Sequence, residues 1–226
     1  MKKIILANWK AYFAPERALQ WCEAFAASYQ PNNAVEVVLA VPALYLARVQ
    51  EKISDLEGVY LAAQSVSAFP QGEYTGSLPA AWLRGLATYA LIGHQERRRY
   101  FHETIQDVAR QGYEALAEEL QPIVCVDESL VRQQAAAFAV SELKNLIWAC
   151  TPETKVSLEM SRSIGDVGAM VAKIAAKTEN RPILYGGGVT VTNGPSIWRR
   201  PEVSGMMLGK GCLDATAFAT LVNSLK

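Results

Sequence analysis

The chain has 226 residues, of which 50% are hydrophobic, and its 22 lysines and arginines balance its 22 aspartates and glutamates. This length fits one or two domains and buries enough surface that neither a disulfide nor a metal is needed for stability. The lack of a basic excess argues against a dedicated nucleic-acid-binding protein, although a few local donors can still bind one phosphate.

The cysteines and histidines do not form the pattern of a metal site. No two of the four cysteines have CxxC spacing, and the only histidines are His94 and His102. We therefore expect neither a metal site nor a disulfide framework. The apolar run Ile4–Ala7 is too short for a secretory signal, and no run of about 18 apolar residues is present. The sequence predicts a cytoplasmic protein with no membrane partner.

Short apolar runs alternate with longer segments of helical periodicity. Eight runs are strand candidates: Lys3–Asn8, Val35–Ala40, Val59–Ala63, Tyr89–Ile92, Ile123–Val126, Val156–Leu158, Ile183–Tyr185 and Gly205–Leu208. Most lack polar alternation, which is typical of parallel strands covered on both faces.

The segments between these runs predict helices. Ser129–Ile147 is rich in Ala and Gln and favours one long helix, whereas Gly165–Lys177 and Ala215–Leu225 repeat apolar residues at helical spacing. Eight strand–helix units are typical of a single (β/α)8 barrel domain over residues 1–226. A doubly wound sheet fits the same pattern and stays open. In a barrel, functional residues follow the strands.

Three of the residues that follow strands carry chemistry. Lys10 comes after the first strand and brings a cation to the barrel mouth. His94 follows the fourth, where helix-terminal N–H groups disfavour imidazolium and favour a neutral donor. Glu159 follows Val156–Leu158, and a carboxylate there suits a general base. The alternatives are a solvated lysine, a structural histidine and a surface glutamate; His102 lies in a polar turn and is expected to be solvated.

Glycines follow the last two strands. Gly186–Gly188 comes after the seventh and Gly209–Gly211 after the eighth. Glycine lets backbone N–H groups approach an anion closely, and barrels commonly bind phosphate at these two positions. One such cluster alone could be a tight turn, but two after adjacent strands are more specific.

Five blocks occur in an order that one family shares: Asn8-x-Lys10, Gly93-His94-x-Glu96-Arg97-Arg98, Cys125-Val126-Asp127-Glu128, Glu159 and Tyr185-Gly186-Gly187. Together they resemble the triosephosphate isomerase family over essentially the whole chain, and the Gly-His-x-Glu-Arg-Arg block is the most specific. The resemblance implies an enzyme of glycolysis and gluconeogenesis that interconverts glyceraldehyde 3-phosphate and dihydroxyacetone phosphate, with no cofactor or metal.

The resemblance also implies roles for the mouth residues. The family's base is the glutamate after the sixth strand, so Glu159 would move a proton between C1 and C2. His94 would be the neutral electrophile that polarises the carbonyl, and Lys10 would support the negative charge of the enediolate, with Asn8 positioning oxygen atoms. Glu96 would support these side chains without reacting.

Further positions follow from the same resemblance. Main-chain N–H groups of Gly165, Gly188 and Gly209, together with Lys210, would bind the substrate phosphate. A lid from about Met160 to Gly168 would close over the substrate and exclude water.

The resemblance also implies roles for two residues beside Glu96 and an assembly of subunits. Arg97 would be a support like Glu96, and Gln95, where the family usually has serine, could contact Glu159. The family is usually a homodimer and sometimes a tetramer, in which the third loop enters the neighbouring subunit. Here that loop is about Gln64–Pro79, and Thr75 would approach Asn8 of the partner subunit and Lys10 of the partner subunit.

The lid departs from the family pattern, which places proline after the glutamate, tryptophan two residues later, and then Ile-Gly-Thr-Gly. From Glu159 this chain reads Glu-Met-Ser-Arg-Ser-Ile-Gly-Asp-Val-Gly, so the proline and tryptophan are missing and Asp166 replaces threonine. A carboxylate there should repel a phosphate.

The phosphate positions depart as well, because Gly188 replaces a common serine and Lys210 replaces a glycine. Lys210 either adds a contact or crowds the site if its φ is positive. Three functions therefore stay open: a divergent triosephosphate isomerase, an isomerase of another small phosphosugar, and a catalytically weak barrel retained for binding.

Overall fold

A computed structural model of the chain describes residues 2–152 and 164–225, with only the backbone of Ile164, and its eight parallel strands close into a barrel. The strands are β1 Lys3–Asn8, β2 Val35–Val41, β3 Val59–Ala63, β4 Tyr89–Ile92, β5 Gln121–Val126, β6 Ile147–Cys150, β7 Ile183–Tyr185 and β8 Gly205–Leu208. β8 closes the barrel by pairing with β1, where Ile4 lies opposite Gly205 and Ala7 opposite Leu208. The predicted (β/α)8 barrel is confirmed, and the doubly wound alternative is wrong because the sheet has no open edge.

Helices follow the strands and cover the barrel. They are α1 Pro15–Ser28, α2 Leu46–Ile53, α3 Gln95–Phe101, α4 Ile105–Ala117, α5 Val131–Ala136, α6 Val140–Leu143, α7 Ile164–Ala175, α8 Gly194–Trp198 and α9 Ala215–Ser224. Local sequence sets several of their starts: Pro15 opens α1, and the Thr104 and Asp107 side chains form a capping box on α4. Among the described residues, no helix is long and apolar enough to cross a membrane.

The sixth strand lies earlier in the chain than the sequence predicted, so that prediction is wrong. β6 is Ile147–Cys150, where Val126 of β5 lies opposite Cys150, and Cys150 lies opposite Tyr185 of β7. The predicted strand Val156–Leu158 lies outside the described residues. The predicted helix Ser129–Ile147 is replaced by the short helices α5 and α6 and the first residue of β6. The long helix is interrupted at Ala139, whose backbone is extended and whose N–H donates to Glu142 Oε2 at 2.6 Å, so a new helix starts there.

The side chains of the strands form two apolar layers. Alternate residues fill the barrel interior, and the residues between them pack against the helices. In β6, Ala149 belongs to the interior layer together with Cys125 of β5, whereas Trp148 and Cys150 belong to the outer layer. This alternation tells which residue just beyond each strand end faces the mouth of the barrel.

Gly205 is required by the closure of the barrel. A Cβ added there would overlap the backbone carbonyl oxygen of Ile4 and come within 2.6 Å of Leu184 Cδ2. We therefore expect Gly205→Ala to lower the free energy of unfolding by about 3 kcal/mol, measured by urea denaturation. Gly72→Ala, where the nearest atom is the Tyr74 side chain at 3.3 Å, is the control and should change it by under about 0.5 kcal/mol. Equal effects of the two variants would contradict this account.

Candidate active site at the barrel mouth

Lys10 is held in an unusual backbone conformation just beyond β1. Its φ is 49°, in the left-handed region, which costs a non-glycine residue roughly 1–2 kcal/mol. Its N–H donates to Asn8 Oδ1 at 3.0 Å, and Gln64 Nε2 donates to its carbonyl oxygen at 3.0 Å. Gln64 also donates to the carbonyl of Ala40 at 3.0 Å, so the loop is tied to β2. The structure therefore fixes where the Lys10 side chain leaves the backbone.

The ammonium of Lys10 is paired with a carboxylate across the mouth. Its Nζ lies 2.5 Å from Glu96 Oε1, and both side chains are partly exposed. A Cβ built on Gly209 would lie 3.3 Å from Lys10 Cε, so the lysine passes close to the end of β8. Glu96 therefore contacts Lys10 directly, and its supporting role stays a prediction. A bound anion can reach the ammonium from solvent.

His94 lies at the end of β4 and caps α3. Its Nδ1 accepts a hydrogen bond from Glu96 N at 3.2 Å, so the ring proton belongs on Nε2. The pKa of His94 is lowered to about 4, mainly by burial; the Glu96 and Glu103 carboxylates oppose this shift and the nearby Lys10 adds to it. The imidazole is therefore neutral near pH 7, as predicted, although burial is the larger cause.

A second network of ion pairs and hydrogen bonds holds α3 in place beside the mouth. Arg97 Nε donates to Glu103 Oε1 at 2.6 Å, and Gln111 Nε2 donates to the same oxygen at 3.0 Å. Arg98 Nε donates to the carbonyl of Gly93 at 2.8 Å, which ties α3 back to the end of β4. Sequence reasoning missed Glu103, because a glutamate in a polar turn gives no sign that it is buried against an arginine.

The glycines of the predicted phosphate site lie beyond β7 and β8. Gly188 is exposed with φ of 62°, and a Cβ there would meet no atom within 4 Å. Lys210 opens a short 3-10 turn and does not have a positive φ, so the predicted crowding through positive φ does not occur. Its side chain is exposed. Backbone and lysine can both face an anion here.

Part of the predicted lid is helical. Gly165 and Asp166 lie exposed in the first turn of α7. A carboxylate in the first turn of a helix is stabilised by the helix dipole. This explains why an aspartate is favourable at position 166, which the sequence alone did not reveal. The remainder of the lid, from Met160 to residue 163, lies outside the described residues.

The residue that ends β6 differs from the expectation. A glutamate was predicted directly after the sixth strand, but β6 ends at Cys150 and the next residues are Thr151 and Pro152. Glu159 lies outside the described residues, so the structure does not place it relative to His94. The contact predicted between Gln95 and Glu159 stays a prediction for the same reason.

The third loop is exposed on the side of the mouth. Thr75 and Tyr74 are solvent-exposed, Gly76 has φ of 84°, and the Tyr74 ring stacks on Phe69 with centroids 4.6 Å apart. The loop is therefore preformed in a single chain.

Comparison with known proteins gives a consistent family. The family model described as "Triosephosphate isomerase" matches residues 3–225. The chain is 34% identical to the triosephosphate isomerase of Paracidovorax citrulli, over 98% of this chain and 97% of that protein. It is 32% identical to that of a Synechococcus strain, over 99% and 95%. The crystal structure of triosephosphate isomerase from Bartonella henselae matches with a TM-score of 0.85 at 24% identity, over 99% and 98%, which supports the fold.

The protonation of His94 can be measured directly. Its pKa of about 4 lies below the ordinary 6.5, so protons favour the unfolded chain. The stability that neutral His94 contributes is complete above pH of about 6.5 and is lost as the pH falls toward about 4. We expect ¹⁵N NMR near pH 6 to show a neutral ring protonated at Nε2, with His102→Gln resolving the assignment. A His94 ring that is mostly charged at that pH would contradict the burial argument.

Proposed function

The chain belongs to the triosephosphate isomerase family, and on that premise we propose that it interconverts glyceraldehyde 3-phosphate and dihydroxyacetone phosphate in the cytoplasm. The observation that carries the proposal is the pairing at the mouth of a neutral imidazole, His94, with an ammonium, Lys10, through one residue, Glu96. These are the two groups that a reaction through an enediolate requires for its oxygen atoms.

The chemistry of the two groups is complementary. Removing a proton from the carbon next to a carbonyl places negative charge on the carbonyl oxygen. Lys10 offers a full positive charge to that oxygen, and Nε2 of the buried His94 offers a hydrogen bond. Because Nδ1 of His94 already accepts from Glu96 N, the ring cannot turn its proton away from the mouth without losing that bond.

The other roles complete the proposal. Asn8, which is buried, positions Lys10 through the hydrogen bond to its N–H. The substrate phosphate binds to main-chain N–H groups at Gly188 and Gly209, with Gly165 and Lys210 adding to the same end. The resemblance suggested Glu159 as the base when the sixth strand was expected at Val156–Leu158, and Glu159 lies outside the described residues.

We propose that two copies of the chain associate through the loops beside the mouth. Several large apolar side chains are exposed in the segments that follow the neighbouring strands β1 to β4: Tyr12, Leu44, Phe69, Tyr74, Trp82, Tyr100 and Phe101. Apolar surface gathered on one side of a molecule is typical of an interface between copies. Thr75 on the third loop then enters the neighbouring subunit, and a tetramer is the alternative assembly.

Activity tests the proposed reaction. Purified protein is given glyceraldehyde 3-phosphate, and dihydroxyacetone phosphate is followed with a coupled dehydrogenase. We expect Lys10→Met and His94→Gln each to lower kcat by roughly 100-fold, because each removes charge stabilisation from the transition state. Glu159→Gln should lower kcat at least as far if Glu159 is the base.

The matched control is Lys52→Met, which removes an equally charged lysine from an exposed ion pair with Glu23 at 2.7 Å. It should leave kcat unchanged. A wild-type protein without turnover on this substrate would contradict the proposed reaction, and so would a Lys10→Met variant as fast as Lys52→Met.

The assembly has its own test. Sedimentation or light scattering should give the mass of two chains for the wild type. Thr75→Arg, which adds a bulky charge to the exposed loop, should shift the mass toward a single chain and raise the apparent Kd of the dimer by roughly 100-fold. A wild type that is monomeric at high concentration would overturn the proposal, and four chains would favour the tetramer.

A further inference from the structure

We infer that Thr151 limits the rate of the proposed isomerisation, because it occupies the place at the barrel rim from which a carboxylate would take the substrate proton. The inference rests on the proposed function and concerns one position in the site. It follows from where β6 ends, from the side to which residue 151 points, and from the side chains available at the rim.

The alternation of the strand places Thr151 inside the mouth. Ala149 fills the barrel interior and Cys150 packs outward, so the next residue faces inward. Thr151 is only 3% exposed, and its N–H donates to the carbonyl of Val126 at 2.8 Å, continuing the β5–β6 ladder by one residue. Its position is therefore fixed by the sheet and does not depend on a loop conformation.

The surroundings of Thr151 belong to the candidate active site. Its Cγ2 would lie 3.2 Å from a Cβ added to Gly186, the first residue of the glycine segment after β7. Gly186 N donates to the carbonyl of Cys150 at 2.8 Å, which holds the two strand ends together. Among the described residues, Thr151 Oγ1 makes one long contact, 3.4 Å, with the carbonyl of Val126. The Thr151 side chain therefore lies between the end of β5 and the glycine segment after β7.

Each strand has one inward-facing residue at its carboxyl end or just beyond it, and these eight residues can be compared. They are Asn8, Pro42, Gln64, Gly93, Asp127, Thr151, Gly186 and Gly209. Asp127 is the one carboxylate among them, and its Oδ1 accepts hydrogen bonds from the N–H groups of Ser129 and Leu130, so it is engaged in its own loop. Glu96 is paired with Lys10 at 2.5 Å, and Glu128, the residue after Asp127, is paired with Lys173 at 2.9 Å. Within the part of the chain that the structure describes, the rim offers no uncommitted carboxylate.

The sequence around Thr151 supports the same conclusion. The family places a glutamate directly after the sixth strand and a proline after the glutamate. With β6 at Ile147–Cys150, the matching positions in this chain are Thr151 and Pro152. The proline that seemed lost from the lid is therefore present beside the strand, and the carboxylate is the group that is replaced.

The chemical consequence is specific to one step. A carboxylate takes the proton from the carbon next to the carbonyl, the electron pair of that C–H bond forms the enediolate double bond, and the carbonyl π pair moves onto its oxygen. The same carboxylate then returns the proton to the former carbonyl carbon, while the hydroxyl proton of the neighbouring carbon passes to the former carbonyl oxygen. A threonine hydroxyl is far too weak a base to hold that proton near pH 7. Lys10 and His94 can still bind and polarise the substrate, so the substitution slows proton transfer and leaves ligand binding in place.

The test restores the carboxylate. Thr151→Glu is assayed with glyceraldehyde 3-phosphate in the wild-type background and in a Glu159→Gln background. We expect kcat/KM to rise by at least about tenfold over the wild type, and the rise to survive Glu159→Gln. Thr151→Gln, which has the same length without the charge, should give no rise. Thr216→Glu, at an exposed position of α9, is the control for the added charge.

Folding is checked in parallel, since Thr151 is buried. Thermal unfolding and far-ultraviolet circular dichroism show whether Thr151→Glu is native. Thr151→Asp, which is closer in size to threonine, carries the same test if the glutamate variant does not fold, and a rise in kcat/KM with either variant supports the inference.

The outcomes separate the two proposals. A wild type that is active, with folded carboxylate variants that show no rise, overturns the inference and leaves the proposed function standing. An inactive wild type with an active Thr151→Glu variant supports the inference and overturns the proposed function of the natural chain. No activity in the wild type or in any folded variant overturns both.

Discussion

Glu96 is the residue on which the arrangement of the mouth depends. Its carboxylate accepts from the Lys10 ammonium at 2.5 Å, and its backbone N–H donates to His94 Nδ1 at 3.2 Å. One residue therefore sets both the place of the cation and the tautomer of the imidazole. Other contacts complete the arrangement. Asn8 and Gln64 hold the left-handed backbone of Lys10, and burial keeps the His94 ring neutral.

The retained and the replaced parts of the site make different demands on the protein. The groups proposed to stabilise negative charge on oxygen, Lys10 and His94, are held by hydrogen bonds of 3.0 to 3.2 Å and a partly exposed ion pair, so neither is left as an unpaired buried charge. A carboxylate at position 151 would be buried beside the apolar barrel interior, where an unpaired charge is expensive. Threonine removes that cost and, on the inference above, removes the proton acceptor with it. Stability and turnover are thus opposed at this single position.

Much of this could be predicted from the sequence, and the failures have physical causes. Seven strands, the positions of Lys10 and His94 and the glycines beyond β7 and β8 follow from local apolar runs and the residues after them. The sixth strand could not be placed, because Ile147–Cys150 continues a segment of high helix propensity and only its pairing with β5 and β7 marks it as a strand. Because the strand was predicted too late in the chain, Glu159 and not Thr151 was expected at the position that follows it. Gln64, just beyond β3 and 54 residues from Lys10 along the chain, supports the Lys10 backbone, and a contact so distant in sequence leaves no local signal.

In the proposed complex, Lys10 faces the reacting oxygens of the substrate and the glycine segments face its phosphate. Calorimetric titration with phosphoglycolate, whose carboxylate resembles the charge of the enediolate, compared with inorganic phosphate, tests this most directly. The account predicts that Lys10→Met raises the Kd for phosphoglycolate by at least about tenfold and leaves the Kd for phosphate nearly unchanged. Equal Kd values for phosphoglycolate in the wild type and in Lys10→Met would contradict it.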